Sequence, residues 1–161
     1  MSRIAERLGF YTAHHRDRRN VATHFVGIPM IMVAIAGLSA PVSFGPVSAA
    51  MILAAAALAF YLHVSPMAAT VMLPVVAIVL AAGHALASLP SAGWPGWSLG
   101  LFVIGWIFQA IGHVFEGRKP AFFDDLRGLL DGPLFLMAEI GFALGLAPGL
   151  KREIDEIARS I

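Results

Sequence analysis

The stretch that decides the fold begins with VATHFVGIPMIMVAIAGL (residues 21–38) and runs on to the HVF of residues 113–115. Between Asn20 and Glu116 it contains no aspartate, glutamate, lysine or arginine. A domain that folds in water carries about 25% charged residues, and a stretch without them could not cover its surface. The whole chain of 161 residues is 58% hydrophobic and 13% charged. These features predict a single all-α domain, a bundle of membrane-spanning helices.

Four apolar stretches are long enough, or nearly long enough, to cross a bilayer, which takes about 20 residues. Breaks rich in proline, glycine and serine separate them. The predicted spans are Val21 to about Leu38, about Val47 to Val64, Met67 to about Leu89, and Trp97 to Phe115. Only Ser65 and Pro66 separate the second span from the third, so these two are expected to form a tight antiparallel hairpin.

Two further segments flank the four spans. The first 20 residues have no apolar run ahead of their basic residues, which predicts an amphipathic segment and not a signal peptide. The apolar stretch from Leu129 to Ala147 contains Asp131 and Glu139. A carboxylate in a lipid-facing helix costs roughly 2.5–3.5 kcal/mol. We therefore expect a re-entrant or interfacial fifth apolar helix, with a fifth membrane span as the alternative.

The placement of basic residues predicts the orientation in the membrane. They lie only within residues 3–19 and 118–159, on either side of the four spans. An even number of spans puts both groups on one side, which the positive-inside rule makes cytoplasmic. We expect an integral membrane protein with both termini in the cytoplasm. The basic residues are too few for nucleic acid and suit anionic lipid headgroups or a substrate carboxylate.

Polar side chains inside an uncharged membrane region need a reason, and the six histidines are the most informative of them. His113 and Glu116 lie three residues apart near the end of the fourth span, with Gln109 on the same helix face. This pattern is typical of a His/Glu metal-ligand pair with a polar neighbour. It also fits an interfacial pair balanced by Arg118 or Lys119, and spacing alone leaves both interpretations open.

His15 and His24 lie nine residues apart, so on one straight helix they would point in opposite directions. They converge only if the chain breaks between them. The sequence RDRRN (residues 16–20) offers that break, with Asn20 as the N-cap of the first span. The amphipathic segment can then fold back and bring His15 to the membrane face that His24 and His113 share. The alternative is a solvated His15 and a His24 that is hydrogen-bonded within the membrane.

His84 lies deep in the third span and is either a further metal ligand or part of an ordinary intramembrane hydrogen bond. The chain has no cysteine, which excludes disulfides and thiolate chemistry. It also lacks an HExxH motif, a GxSxG nucleophile elbow and a P-loop. Serine and cysteine hydrolases are therefore unsupported, and the paired histidine boxes of desaturases are missing as well.

Two specific motifs and a weaker one carry a resemblance to a known family. The first, Tyr-x3-His-x4-Asn-x3-His-x2-Gly-x-Pro, falls on Tyr11, His15, Asn20, His24, Gly27 and Pro29. The second is GWIFQAIGHVFEGRKP (residues 105–120), and the weaker third is GPLFLMAEIGFALG (residues 132–145). Over almost its whole length the chain resembles the fungal endoplasmic-reticulum 2-hydroxy fatty acid dioxygenases and their bacterial homologues. The similarity to the bacterial members, together with the absence of an organellar signal, favours a bacterial inner membrane.

The resemblance implies an Fe(II)-dependent enzyme that uses O2 to convert a 2-hydroxy fatty acid into the fatty acid one carbon shorter. Iron in an oxygenase takes nitrogen and oxygen ligands and keeps open positions for its reactants. The implied ligands are His15, His24 and His113, with His84 as the fourth candidate, and Glu116 joins the first three as a catalytic residue. Glu116 and Glu139 are either ligands or acceptors that fix imidazole tautomers.

Other polar residues of the same motifs are expected to support the ligands or contact the substrate, Arg118 or Lys119 by holding its carboxylate. These residues are Tyr11, Asn20, Gln109, Arg118, Lys119 and Glu139. A second hypothesis is a non-catalytic membrane protein, either lipid-binding or a small-solute carrier, in which the histidines are structural. It differs from the first in predicting no metal dependence.

Overall fold

The computed structural model describes residues 2–90, 93–117 and 127–161. These ranges contain seven α-helices and one two-stranded antiparallel hairpin, which confirms the prediction of an all-α fold. The helices are α1 (Arg3–Ala13), α2 (Arg18–Ser39), α3 (Ala49–Val64), α4 (Pro66–Ala87), α5 (Trp94–Glu116), α6 (Gly128–Ala143) and α7 (Pro148–Ser160). The strands, β1 (Ser43–Phe44) and β2 (Val47–Ser48), were not predicted, and Gly45 turns between them with a positive φ of 64°.

The predicted spans correspond to α2, α3, α4 and α5. Among the described residues, three helices are long and apolar enough to cross a membrane: α2 and α4 with 22 residues each and α5 with 23. The remaining one, α3, is apolar but has only 16 residues. It starts later than predicted because Val47 and Ser48 form β2, and the Ser48 side chain then caps α3 by accepting from Met51 N at 3.2 Å.

The predicted hairpin of the second and third spans is confirmed, because α3 and α4 pack against each other along their length. Ser65 alone separates the two helices, in an extended conformation with φ −168° and ψ 153°. Its hydroxyl accepts from Ala68 N at 3.0 Å and so caps α4, while Pro66 occupies the first turn, where a missing N–H is tolerated. One residue therefore ends one helix and starts the next.

The chain divides into two compact units. The central unit is Val26–Phe108, and the terminal unit combines Met1–Phe25 with Gln109–Ile161. In the central unit α2 approaches two other helices closely at glycines. A Cβ on Gly105 would lie 2.7 Å from Ile31 Cγ1 and 2.9 Å from Gly27 O, and one on Gly83 would collide with Ala36. Small residues at such crossings are the usual device for packing helices within membranes.

In the terminal unit the predicted amphipathic segment is helix α1, which packs against α6 and α7. Ile4, Leu8 and Tyr11 are buried on its packed face. Helix α7, strongly amphipathic and missed by the sequence analysis, buries Ile154 and Ala158. Hydrogen bonds also connect the residues that flank α1 to α7. Ser2 donates to Glu153 through its N–H to Oε1 at 2.8 Å and through its hydroxyl to Oε2 at 3.2 Å, and Arg16 Nη2 donates to Ala158 O at 2.5 Å.

The fifth apolar stretch forms α6, which is 16 residues long and is not among the helices that could span a membrane. Its N-terminal half is buried from Asp131 to Leu136. Asp131 pairs with Arg7 of α1 through two hydrogen bonds, Nε to Oδ1 at 2.8 Å and Nη2 to Oδ2 at 2.6 Å. Bidentate pairing offsets the cost of burying the carboxylate, so the aspartate belongs to the contact between α6 and α1.

Candidate metal centre

The chain breaks between His15 and His24, as the residue spacing requires for the two side chains to meet. Helix α1 ends at Ala13 and α2 starts at Arg18, so His15 lies in the connecting loop. The predicted N-cap at Asn20 is wrong, because Asn20 is already the third residue of α2. Asp17 accepts from Arg19 N at 2.8 Å and fills that role. A cap at Asp17 starts the helix three residues earlier and frees the Asn20 amide for a tertiary contact.

Both imidazoles are held in one tautomer by the backbone. The Nδ1 of His15 donates to Tyr11 O at 2.8 Å, and the Nδ1 of His24 donates to Asn20 O at 2.9 Å. A carbonyl oxygen only accepts, so each Nδ1 carries the proton and each Nε2 carries a lone pair. The two Nε2 atoms face each other at 3.1 Å. Two lone pairs at that separation repel, and a cation bound by both removes the repulsion.

The spacing of these atoms fits a transition metal. Two imidazole nitrogens on one ion, each bonded at about 2.1 Å, lie roughly 3.0–3.4 Å apart at tetrahedral or octahedral angles, and the observed separation is 3.1 Å. His113 completes the group, with its ring centroid 5.0 Å from that of His15 and 5.1 Å from that of His24. One nitrogen from each of the three histidines lies within 4.8 Å of the others. Three neutral imidazoles are a suitable donor set for iron, zinc or copper.

The three histidines of the cluster are buried. His15, His24 and His113 are 3%, 1% and 8% exposed. Burial, together with the nearby His24, lowers the pKa of His15 to about 2, so its imidazole stays in the uncharged form that binds metals. The Tyr11 ring stacks on His15 with centroids 4.0 Å apart and an interplanar angle of 1°. Phe135 of α6 packs on Tyr11 and His15 at 5.0 and 5.8 Å, and its contact with the cluster was not predicted.

A motif glycine and a motif glutamate connect α5 to the start of α2. A Cβ on Gly112 would collide with Thr23 Oγ1 and Asn20 Oδ1, so only glycine permits this approach. The Glu116 carboxylate accepts from Arg16 N at 2.8 Å, Asp17 N at 2.9 Å and Asn20 Nδ2 at 3.0 Å. Glu116 is not a member of the metal-capable group found among the described residues.

Two amide side chains next to the cluster have unused hydrogen-bonding capacity. Asn20 Oδ1 and Gln109 Nε2 are buried and have no hydrogen-bond partner among the residues that the structure describes. Gln109 lies one helical turn before His113 on the same face of α5. Buried polar groups are normally satisfied, so this donor is available to a bound molecule.

The structure places other predicted site residues elsewhere. His84 belongs to the central unit, where its Nδ1 donates to Leu80 O at 2.9 Å and its Nε2 contacts Ser48 Oγ at 3.2 Å. Both of its nitrogens are occupied, which matches the ordinary hydrogen-bond interpretation. Glu139 is half-buried on α6 and is outside the metal-capable group. Burial raises the pKa of Glu139, against the opposing charge of Lys151.

Arg118 and Lys119, proposed from the sequence to hold a substrate carboxylate, lie outside the described residues. Apart from Phe135, the sequence analysis also missed the backbone N–H groups of Arg16 and Asp17 as partners of Glu116. A carboxylate one turn from a candidate ligand indicates that it has a hydrogen-bond partner. Backbone N–H groups do not depend on the type of side chain, so the sequence could not identify these two as the partners.

Membrane-length apolar helices combined with a buried three-histidine cluster define a helical membrane protein with a candidate metal centre. Residues 1–144 match the family described as "2-hydroxy-palmitic acid dioxygenase Mpo1-like". The chain is 32% identical over 158 residues to the 2-hydroxy-palmitic acid dioxygenase MPO1 of Saccharomyces cerevisiae, covering 94% of this chain and 87% of the yeast protein. The chain therefore belongs to the Mpo1-like family. No solved structure matches it.

Proposed function

We propose that the protein is a membrane dioxygenase that shortens 2-hydroxy fatty acids by one carbon, using O2 and Fe(II) held by His15, His24 and His113. The observation that carries the proposal is that His15 Nε2 and His24 Nε2 face each other at 3.1 Å, with His113 beside them. Family membership supports the substrate class, since the yeast relative is named a 2-hydroxy-palmitic acid dioxygenase.

The proposed reaction balances without another reductant. R–CHOH–COOH and O2 give R–COOH, CO2 and H2O; the bond between C1 and C2 breaks, and the four electrons lost by the two carbons reduce O2. When bound, Fe(II) supplies the redox chemistry and orients the hydroxy acid and O2. His15, His24 and His113 would hold the iron through neutral nitrogen donors, a ligand type that suits it.

The surrounding residues have supporting roles in this proposal. Tyr11 and Phe135 cover one side of His15 and exclude water from it. Gln109 Nε2 donates a hydrogen bond to the carboxylate of the bound acid. The acyl chain stays in the bilayer, where each buried methylene contributes about 0.8 kcal/mol, which accounts for the location of such an enzyme in a membrane.

The orientation is part of the same proposal. The arginines before α2, together with the basic residues after α5, favour a cytoplasmic location of both termini in a bacterial inner membrane. Fusions of a periplasm-dependent and a cytoplasm-dependent reporter to the C-terminus test this orientation. Activity of the periplasm-dependent reporter would contradict it.

The function is tested by O2 uptake of the detergent-solubilised protein with 2-hydroxyhexadecanoic acid and added Fe(II). We expect uptake that a chelator abolishes, CO2 release from C1, and pentadecanoic acid as the product. The matched pair of variants is His15→Ala and His14→Ala. His14 is the adjacent histidine and makes the same bond to its own helix, Nδ1 to Phe10 O at 2.9 Å, yet lies outside the cluster.

His15→Ala should abolish uptake, and His14→Ala should retain it. A folded, iron-loaded protein that consumes no O2 with 2-hydroxy acids of several chain lengths would refute the proposal. Binding of these acids without turnover or metal dependence would favour the lipid-binding alternative.

A further inference from the structure

The Glu116 carboxylate links the chain segments that carry the three cluster histidines. Its Oε1 accepts from Arg16 N at 2.8 Å, and Arg16 directly follows His15. Its Oε2 accepts from Asn20 Nδ2 at 3.0 Å, and the carbonyl of Asn20 holds His24 Nδ1. Glu116 itself lies on α5, three residues after His113.

We propose that Glu116 is a positioning residue that fixes the spacing of the three histidines and is not itself a metal ligand. The inference rests on the proposed metal centre. Both carboxylate oxygens are engaged by N–H donors, and no oxygen of Glu116 belongs to the group of atoms that could share a metal. The carboxylate assembles the site by joining three pieces of chain.

The chemistry of the contact requires a carboxylate. Arg16 N approaches one oxygen, while Asp17 N and Asn20 Nδ2 approach the other, so acceptors are needed at both ends of the group. A glutamine has the same shape, but one end of its amide is an NH2 group. In either orientation of the amide, this NH2 group would face an N–H donor and could not accept from it. Glu116→Gln is therefore an isosteric variant that breaks at least one side of the contact.

The test measures Co(II) affinity by chelator competition, the Co(II) absorption spectrum, and amide hydrogen exchange of the metal-free protein. Glu116→Gln should bind one Co(II) with an unchanged spectrum but roughly 10–100-fold more weakly, which is the usual loss when a residue that orients ligands is changed. Exchange at Arg16 and Asp17 should accelerate in the metal-free variant. A purely structural role would lower the unfolding temperature without changing Co(II) affinity.

The matched control is Glu153→Gln. Glu153 also accepts a backbone N–H, from Ser2 at 2.8 Å, and joins two helices of the same unit, but it contacts no cluster histidine. It should lower stability and leave Co(II) affinity within about twofold of wild type, as expected for independent sites. Asn20→Ala, which removes one of the three donors, should weaken Co(II) binding, and its effect should not add to that of Glu116→Gln.

Unchanged Co(II) affinity in Glu116→Gln, or an altered spectrum that marks loss of a ligand, would overturn the inference. If Glu116→Gln does not fold, normal Co(II) affinity in Asn20→Ala would overturn it instead. If the wild type binds no metal at all, the proposed function fails. Hydrogen exchange then still decides whether Glu116 organises the loop, since unchanged exchange in Glu116→Gln would refute that role.

Discussion

Arg7 and Asp131 form a bidentate ion pair that joins α1 to α6, with only 18% and 6% of their side-chain surfaces exposed. The pair lies one turn before Tyr11, the residue whose ring covers His15. The ion pair explains how the apolar helix α6 can carry the buried carboxylate of Asp131. It also favours the face of α6 that carries Asp131 as the one that meets α1.

We expect Asp131→Ala to destabilise the terminal unit. Removing one partner of a buried ion pair costs about 3–5 kcal/mol because the other charge stays buried, and the partial exposure of Arg7 places this case near the lower end. Amide hydrogen exchange of α1 and α6 during thermal unfolding in detergent measures the effect, because the three tryptophans all lie in the central unit. The double variant Arg7→Met/Asp131→Leu should be more stable than Asp131→Ala, and the reverse order would contradict this account of the pair.

Metal removal should lower stability through the histidine cluster. A ligand that binds only the folded state adds about 2.7 kcal/mol at one hundred times its dissociation constant. Excess Co(II) should therefore raise the unfolding temperature of wild type and of His14→Ala, and a chelator should reverse the increase. His24→Ala and His113→Ala should show no increase. A Co(II) effect that persists in both would place the metal elsewhere.

Gln109→Leu should weaken substrate binding while leaving metal content unchanged. A hydrogen bond to a charged group is worth about 1.5–3 kcal/mol, which corresponds to roughly 10–150-fold in affinity. The measurement is equilibrium binding of 2-hydroxyhexadecanoic acid to the Co(II)-loaded protein without O2. The corresponding uncharged 1,2-diol can accept only a weaker, neutral hydrogen bond from Gln109, so its affinity should fall less than that of the acid. Equal affinity of the acid for both proteins would exclude the proposed contact with Gln109.

Gly112→Ala should impair both folding and metal binding. The new methyl group would collide with Thr23 and Asn20 at the point where α2 and α5 cross, and overpacking typically costs about 1–3 kcal/mol. Gly100→Ala is the matched control, since a Cβ at that position of the same helix meets nothing within 4 Å. Co(II) binding and thermal unfolding of both variants make the comparison. Similar behaviour of the two would mean that the close approach at Gly112 is unimportant.

Much of the fold follows from local pattern. An uncharged run interrupted by proline and serine indicates helices and their ends, and α2, α4 and α5 lie close to the predicted bounds. The second span was predicted two residues too early, because β pairing between Phe44 and Val47 competes with the helix. Helix α7 was missed because its short and strongly charged sequence gives no membrane signal.

The site was predictable where helix geometry constrains it. Nine residues between His15 and His24 require a break in the helix, and the break is present. The position of that break was wrong by three residues, because Asp17 and Asn20 are both good caps and only the contact with Glu116 distinguishes them. Asp131 pairs with Arg7, and His84 contacts Ser48. Both are contacts between residues far apart in the chain, and residue spacing could not predict them.

The division of the terminal unit between the two ends of the chain has a consequence for biosynthesis. His15 and His24 leave the ribosome early, and His113 follows 89 residues after His24, on the order of 4–18 s later at about 5–20 residues per second. The segment between them is the long apolar hairpin region, which enters the membrane first. The three histidines therefore gather only after the apolar helices between them have been made, and any metal ion that needs all three is bound after that point.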